Sequence, residues 1–300
     1  MKSALELAPA TPRFIEAEIA SPWKRARRIV RRFTRRRLAI LGAIVIVIFV
    51  VAAILAPWLA PYNPQATNWS KIRKPADAQN WLGTDDLGRD LFSRLIWGAQ
   101  VSLLAGVLSV LIAVVLGVPL GLIAGYYRGH LDQVIMRITD ALLAFPFLII
   151  AIALASALGP SLANATLAIG LSAVPGFIRL TRGQVLAVRE EEYVQAARAV
   201  GASDLRIFWR YILPNSFAPL MVQATVSIAG AIIAESTLSF LGLGVQPPTP
   251  SWGSMLNVAQ GFLNQAPWMA WWPGLAIFVT VLGFNLMGDG LRDALDPKDY

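Results

Sequence analysis

Long uncharged runs alternate with short charged segments along the whole chain. No Asp, Glu, Lys or Arg occurs within residues 38–70, 95–127, 141–178, 211–234 and 236–288. A helix needs about 20 apolar residues to cross roughly 30 Å of hydrocarbon. The run over 141–178 is too long for one crossing, and Gly159-Pro160-Ser161 interrupts it. The pattern therefore predicts six transmembrane helices, over residues 38–59, 101–127, 133–158, 163–181, 213–235 and 271–291.

The composition points to the same class of protein. Hydrophobic residues make up 56% of the chain and charged residues only 15%, whereas soluble domains carry about 25% charged residues. We therefore expect an all-α membrane protein. The 300 residues include no cysteine, which excludes disulfides, thiolate metal sites and cysteine nucleophiles.

The distribution of Lys and Arg predicts the orientation of the spans, because short loops rich in these residues stay in the cytoplasm. Residues 1–37 contain eleven Lys and Arg, and the loop between the fifth and sixth spans contains none. Residues 61–97 contain five basic residues but also four acidic ones, and the even number of spans places this segment outside. Both termini are predicted to be cytoplasmic.

The same pattern divides the chain into three parts. Residues 1–37 form a basic cytoplasmic tail, residues 38–100 the first span with an external segment, and residues 101–300 a core of five spans with a cytoplasmic loop over 182–212. The block WKRARRIVRRFTRRR in the tail could be read as a nucleic-acid contact. Because it directly precedes the first span, we favour an anchor that fixes topology and attracts anionic lipid headgroups. We expect no nucleic-acid partner.

The external segment contains three aspartates, Asp85, Asp86 and Asp90. Their spacing departs from the calcium-binding EF-hand pattern and no bidentate Glu follows, so we expect no metal site. The alternative is a short interfacial helix that Thr84 or Asp85 caps. That helix would present its apolar side chains to the membrane surface: Leu91, Leu95 and Ile96.

The cytoplasmic loop has the pattern of two short helices joined at a glycine. Glu190–Glu192 favour a helix start, and Gly201 is placed to end that helix after Tyr193, Ala196, Ala197 and Val200 at helical spacing. Ser203 can cap a second helix whose apolar residues also recur at helical spacing: Leu205, Phe208, Trp209 and Ile212. From this pattern alone, a docking surface for a partner and a loop lying on the headgroups are equally good interpretations.

A resemblance favours the docking surface. Ala196, Ala197 and Gly201, followed by Ile212-Leu213-Pro214, resemble the ATPase-docking "EAA" loop of ABC importer permeases. Gln195 stands where that motif has Glu, and Ile212 lies one place later than usual. Four further stretches resemble the dipeptide, oligopeptide and nickel permeases of this group: LGTDDLGRDLFSRL, HLDQVIMRITDALLAFP, FLGLGVQPPTPSWGSML and FNLMGDGLRDALDP. The likeness extends in order over residues 38–297.

The resemblance implies a type I ABC importer permease in the bacterial cytoplasmic membrane. Such a chain forms half of a path for dipeptides or short oligopeptides and works with a second homologous permease, two P-loop ATPases and an external binding protein. The chain lacks the phosphate-binding pattern G-x4-G-K-[ST], so ATP and Mg would be held by the partner ATPases, and this chain would bind no cofactor. The residues implied in ATPase coupling are Gln195, Ala196, Ala197, Gly201, Ala202, Ser203, Asp204, Leu213 and Pro214.

A gate or pathway role is a weaker hypothesis for three residues, Phe145, Pro146 and Glu235. A proline inside a span frees a backbone carbonyl and bends the helix, although neighbouring helices can satisfy that group. Ionisable residues at membrane depth point to function, but the positions near span ends favour interfacial pairing or capping. On this view Arg137 pairs with Asp140, Glu235 ends the fifth span, and residues 289–293 cap the sixth.

Three other functions are considered. A secondary carrier would show repeated halves and ionisable groups at the membrane midplane, and neither is evident in the sequence. A membrane peptidase would need a Ser–His or Glu–His constellation, but the only histidine, His130, lies in a polar turn. We therefore expect a transporter subunit and no enzyme. Nickel is the leading alternative cargo within the same architecture.

Overall fold

The computed structural model describes residues 22–295, and within them the chain is helical and forms no β-sheet. The helices are α1 (Pro22–Phe33), α2 (Arg37–Ile54), α3 (Ala56–Leu59), α4 (Leu91–Tyr127), α5 (Gly129–Leu143), α6 (Phe147–Leu158), α7 (Leu162–Val188), α8 (Glu192–Ala199), α9 (Asp204–Ile207), α10 (Leu213–Phe240), α11 (Trp252–Ala259) and α12 (Trp268–Leu295). Residues 1–21 of the predicted basic tail lie outside the described part of the chain.

The spans agree with the predicted number. Five segments among the described residues are long and apolar enough to cross a membrane, and the pair α5 and α6 makes six if it counts as one bent span. Most helices extend beyond the predicted limits. The fourth span, for example, continues from 181 to Val188. An all-α membrane fold with five candidate spans, or six with the bent pair, is therefore confirmed.

The predicted third span over 133–158 is not one continuous helix. α5 and α6 meet at an angle of 90°, and the break lies at Ala144–Pro146. Proline disfavours the α conformation of the residue before it, here Phe145, and has no N–H for the helical ladder. The sequence predicted a kink at Pro146, and in the structure the helix is broken there into two helices, which meet at what we call the corner of α5 and α6.

The centre of the bundle is the contact between α4 and α7. Three glycines on α4, spaced by four residues, face larger side chains on α7. A Cβ placed on Gly121 would lie 2.6 Å from the Cβ of Thr181, and one placed on Gly117 would lie 2.6 Å from the Cβ of Phe177. Gly125 makes the same kind of approach to Val185. Glycine at these positions lets the two backbones approach closely, as small residues do in membrane helix pairs.

The two ends of the described chain lie on the same side of the bundle. Arg36, just before α2, forms an ion pair of 3.2 Å with Asp293 near the end of α12. Gly42 of α2 contacts the backbone of Gly283 on α12. This neighbourhood agrees with an even number of crossings, and the pairing of Asp293 agrees with the predicted role of residues 289–293 at the span end.

The segment that precedes α4, predicted to be external and called the external segment below, is a folded loop with a buried polar cluster. Asp85 accepts a hydrogen bond from Arg89 Nε at 2.6 Å and lies 3.3 Å from Arg94 Nε. Asp90 is the N-cap of α4 and also accepts from Asn80 Nδ2 at 2.9 Å. The carboxylates of Asp85 and Asp90 are thus engaged by arginine, amide and backbone donors of the chain itself.

The predicted interfacial helix of this segment is wrong in two respects. It is the beginning of α4, which Asp90 caps instead of Thr84 or Asp85. Leu91 and Ile96 are buried inside the protein rather than presented to the membrane surface. Leu91 packs in a cluster with residues that are distant in the sequence, among them Met255 and Met269, which the local pattern could not reveal.

Candidate coupling surface and central cavity

The loop over 182–212, predicted to be cytoplasmic, folds into the two helices that its sequence predicts. α8 covers Glu192–Ala199 and is followed by Gly201 in the left-handed conformation, with φ of +81°. Ser203 then caps α9, since its side chain accepts a hydrogen bond from the backbone N–H of Arg206 at 3.4 Å. A left-handed residue after a helix suits glycine because it has no Cβ.

The second helix of the loop is continuous with the fifth span. α9 passes through a π-helical turn, Phe208–Ile212, directly into α10. Pro214 follows this turn as one of the first residues of α10. Because proline has no N–H to donate, the wider turn lets the chain pass without an ordinary α-helical bond there. α9 is therefore joined to α10 without an intervening flexible linker.

The inner face of the loop is anchored on the end of α4. Val194, Ile207 and Ile212 are buried in one cluster with Tyr126 and Val185. Three polar contacts, which the sequence reading missed, reinforce this packing. The hydroxyls of Tyr126 and Tyr127 donate to the carboxylate of Asp204 at 2.7 and 3.1 Å, and Arg189 donates to the Tyr126 carbonyl at 2.7 Å. In the sequence, the two adjacent tyrosines at the end of a span were the feature that could have indicated these contacts.

The outer face of the loop carries exposed apolar side chains. Val200 is 85% exposed, Leu205 66% and Trp209 67%. The apolar stripe predicted for the second helix is thus divided, because Phe208 and Ile212 face inward with the cluster around Tyr126. We call Val200, Leu205 and Trp209 the outer face. Exposed apolar groups on a charged loop are typical of an interaction surface.

The residues implied in coupling fall into three groups. Six of them are exposed: Gln195, Ala196, Gly201, Ser203, Asp204 and Pro214. Ala202 and Leu213 are half-buried. Ala197 is buried, so it belongs to the packing of α8 against the rest of the chain and not to the outer face.

A cavity of about 280 Å³ lies between α4, α7 and α10 beside the corner of α5 and α6. Leu143 and Phe147, on either side of that corner, form part of its wall. Its polar side chains and its two glycines come from three helices: Ser109, Ser172, Gly176, Gln223, Ser227 and Gly230. Phe145, at the corner, is exposed and lies outside the residues that line the cavity.

Two ion pairs join α5 to α7. Arg182 binds both carboxylate oxygens of Asp132, at 2.6 and 2.7 Å. Asp140 pairs with Arg179 at 2.6 Å, so the predicted pairing of Asp140 with Arg137 is wrong. The partner of Asp140 lies on the facing helix α7, and the sequence pattern within α5 gives no information about that helix. His130 is exposed at the start of α5, in keeping with its predicted polar surroundings.

Glu235 is fully buried within the protein, and it does not end the fifth span as predicted, because α10 continues to Phe240. Its carboxylate accepts hydrogen bonds from Ser102 at 2.9 Å and from Ser239 at 2.7 Å. Ser102 in turn accepts from the backbone N–H of Trp252 at 3.4 Å. These bonds join α4, α10 and the start of α11. Glu235 does not line the cavity.

The chain is similar to known transport proteins over most of its length. Residues 117–298 match the family described as binding-protein-dependent transport system inner membrane component, and residues 21–76 match the N-terminal TM domain of oligopeptide transport permease C. It is 48% identical over 278 residues to the dipeptide transport system permease protein DppC of Alkalihalophilus pseudofirmus, with 93% of this chain and 90% of that protein covered. It is 46% identical over 282 residues to the glutathione transport system permease protein GsiD of Escherichia coli O157:H7, with 94% and 92% covered.

A solved structure shares the fold. A chain of the MetNI methionine ABC transporter, in an inward-facing conformation, matches with a TM-score of 0.57 and 18% sequence identity. The match covers 69% of this chain and 98% of that chain. The predicted fold of a type I ABC importer permease is thereby confirmed.

Proposed function

We propose a cargo, partners and a coupling surface for this chain, which belongs to the family of inner membrane components of binding-protein-dependent transport systems. It is a permease subunit of an ABC importer, a transport component rather than an enzyme, and it crosses the cytoplasmic membrane several times. The proposal concerns what this subunit carries, what it assembles with and which residues transmit the work of ATP hydrolysis.

The proposed partners are two P-loop ATPases, a second homologous permease and an extracytoplasmic binding protein. ATP and Mg are held by the ATPases, and this chain supplies the surface on which one of them docks. The observation that carries this assignment is the exposed outer face, Val200, Leu205 and Trp209, on a loop that continues into α10. A partner that pulls on the loop therefore moves a span directly, as in rigid-body switching.

The proposed cargo is a dipeptide or a short oligopeptide. Relatives that are 46–48% identical carry the names of dipeptide and glutathione permeases, and both of these substrates are short peptides. The cavity beside the α5–α6 corner is lined by hydroxyl, amide and apolar groups. Such neutral groups can bond a peptide backbone without selecting particular side chains.

Uptake by the reconstituted transporter tests the cargo. We expect liposomes that contain the full complex, supplied with ATP inside and the binding protein outside, to accumulate radiolabelled dialanine. Omission of ATP, or a variant of the partner ATPase that cannot hydrolyse it, is the matched control and should abolish accumulation. Accumulation of nickel without accumulation of peptide, or uptake driven by a proton gradient alone, would contradict the proposal.

The absence of cysteine makes the orientation of the loop directly testable. In vesicles that hold the permease subunits without the ATPases, a single cysteine at the exposed Val200 is expected to react with a membrane-impermeant maleimide only when the vesicles are inside-out, because the loop is predicted to be cytoplasmic. Trp69→Cys in the external segment is the counterpart and should react only in right-side-out vesicles. Labelling of Val200→Cys from the outside would place the loop beyond the reach of any ATPase.

A further inference from the structure

Two glycines in the cavity have no packing role. Gly176 of α7 and Gly230 of α10 line the cavity, and a Cβ placed on either would meet no atom within 4 Å. At several other glycines of the bundle, in contrast, an added Cβ would collide with a neighbouring helix. A Cβ on Gly121 would lie 2.6 Å from Thr181, and a Cβ on Gly170 would lie 2.9 Å from Ile112. Close helix contact therefore explains Gly121 and Gly170 but not the two cavity glycines.

A helix gains nothing locally from glycine at such a position. Glycine in a helix interior is less stable than alanine because its backbone loses more freedom on folding. Neither Gly176 nor Gly230 has the positive φ that would require glycine. What their missing side chains preserve is empty space in the cavity, on two helices that face it.

The groups around this space suit a substrate whose side chains vary. Ser172 Oγ donates to the Ala168 carbonyl at 2.7 Å and Ser109 Oγ donates to the Thr166 carbonyl at 3.0 Å. Each of these hydroxyl oxygens keeps lone pairs that its own donated bond does not use. Gln223 contributes an amide to the same wall. A peptide backbone can bond such groups whatever its sequence, so the remaining discrimination is by size.

The dimensions agree with a small substrate. The cavity of about 280 Å³ lies just below the roughly 300–1,000 Å³ typical of ligand pockets. At that size, a side chain added at the wall removes a substantial part of the free space. A substrate with large side chains is affected before one with small side chains.

We propose that Gly176 and Gly230 set the bore of the substrate cavity and thereby the largest peptide side chain that this permease passes. This inference rests on the proposed peptide import. The two glycines make no bond to the substrate. Because they have no side chain, they leave the cavity wide enough for the substrate, and this width limits the size of the side chains that can pass.

Uptake of two dipeptides of equal length and equal end charges tests the proposal. In liposomes with the full complex and saturating peptide, Gly176→Val and Gly230→Val are expected to lower dileucine uptake roughly tenfold more than dialanine uptake, the scale of a methyl-sized misfit in a pocket. Each peptide is compared with its own wild-type rate, so selection by the unchanged binding protein cancels. Gly274→Val in α12 is the matched control, because a Cβ there also meets nothing within 4 Å and the residue lies outside the cavity lining.

The possible outcomes distinguish a limit set by the width of the cavity from a general loss of transport. Equal loss of both dipeptides in the cavity variants, no loss at all, or the same size dependence in Gly274→Val overturns the proposal. If size-exclusion chromatography shows that the valine variants do not assemble, Gly176→Ala and Gly230→Ala replace them in the uptake assay. We expect these alanine variants to lower dileucine uptake more than dialanine uptake, by a smaller factor than valine. Equal uptake of the two dipeptides relative to wild type would contradict the proposal. A wild-type complex that accumulates neither peptide refutes the peptide function itself, and this inference with it.

Discussion

Replacing Trp209 with aspartate is expected to weaken the binding of the ATPase subunits roughly thirtyfold, about 2 kcal/mol, the scale of a tryptophan hot spot at an interface. Trp209 is 67% exposed and lies in the π-helical turn that leads into α10. The change removes a large apolar contact and introduces a carboxylate that docking would bury unpaired. The measurement is the amount of ATPase retained by the purified permease as the ATPase concentration is varied.

Two variants serve as controls for Trp209→Asp. Trp209→Phe keeps an aromatic contact and should retain most of the binding. Trp69→Asp makes the same change at an equally exposed tryptophan in the external segment, and it should leave ATPase retention unchanged. Retention that is the same for Trp209→Asp as for the wild type would show that the outer face is not where the ATPase docks.

The backbone of the loop provides an independent arm of this experiment. Gly201 has φ of +81°, and a Cβ there would meet nothing within 4 Å. Valine at this position therefore acts only through the backbone, at about 1–2 kcal/mol, whereas asparagine tolerates the left-handed region. We expect Gly201→Val to lower ATPase retention and Gly201→Asn to preserve most of it, with normal membrane insertion of both.

Gly121→Val is expected to destabilise the permease by about 3 kcal/mol or more, at the upper end of what overpacking costs. The first atom of the new side chain would lie 2.6 Å from the Cβ of Thr181 and 2.7 Å from the carbonyl oxygen of Ile178. A backbone carbonyl cannot rotate away, so α4 and α7 must separate. That separation would also loosen the contacts of Gly117 and Gly125 on the same face.

The stability of the purified complex in detergent measures this effect. Gly121→Val should lower the temperature at which the complex loses its monodisperse peak, or prevent its isolation. Gly274→Val makes the same substitution in another span where a Cβ meets no neighbour within 4 Å, and it should behave like the wild type. A Gly121→Val complex as stable as Gly274→Val would mean that the α4–α7 contact does not hold the bundle together.

The elements that local chemistry specifies were predictable from the sequence. A span must hide its backbone from lipid over a fixed thickness, so uncharged runs locate spans without knowledge of their neighbours. The loop helices were predictable for a similar reason. Gly201 ends α8 and Ser203 caps α9 through interactions within a few residues, and such signals are fully present in the sequence.

Contacts between distant segments were not predictable in this way. Asp140 pairs with Arg179 on another helix, although Arg137 was one turn away. Leu91 and Ile96 were assigned to the membrane surface, yet both are buried inside the protein, Leu91 in a cluster with Met255 of α11 and Met269 of α12. An apolar side chain leaves water equally well in lipid or in a protein core, so its hydrophobicity alone does not say which of the two it meets.

Pro146 and Glu235 were predictable in part: the sequence showed that each residue matters, and the tertiary structure decided how. The sequence showed that Pro146 must disturb a helix, but the 90° corner depends on what α5 and α6 pack against. It also showed an acid near the end of an uncharged run. Only the folded chain supplies the hydroxyls of Ser102 and Ser239 that satisfy Glu235 in a buried position.

By itself, the sequence determined the class of protein, the number of spans, the two-helix loop and the family that these resemble, because each depends on composition or on interactions within a few residues. The tertiary structure alone decided which polar groups meet, which face of the loop is exposed and where space remains between the helices. Those features depend on pairs of residues far apart in the chain. The cavity beside Gly176 and Gly230 is such a feature, since three helices must assemble before it exists.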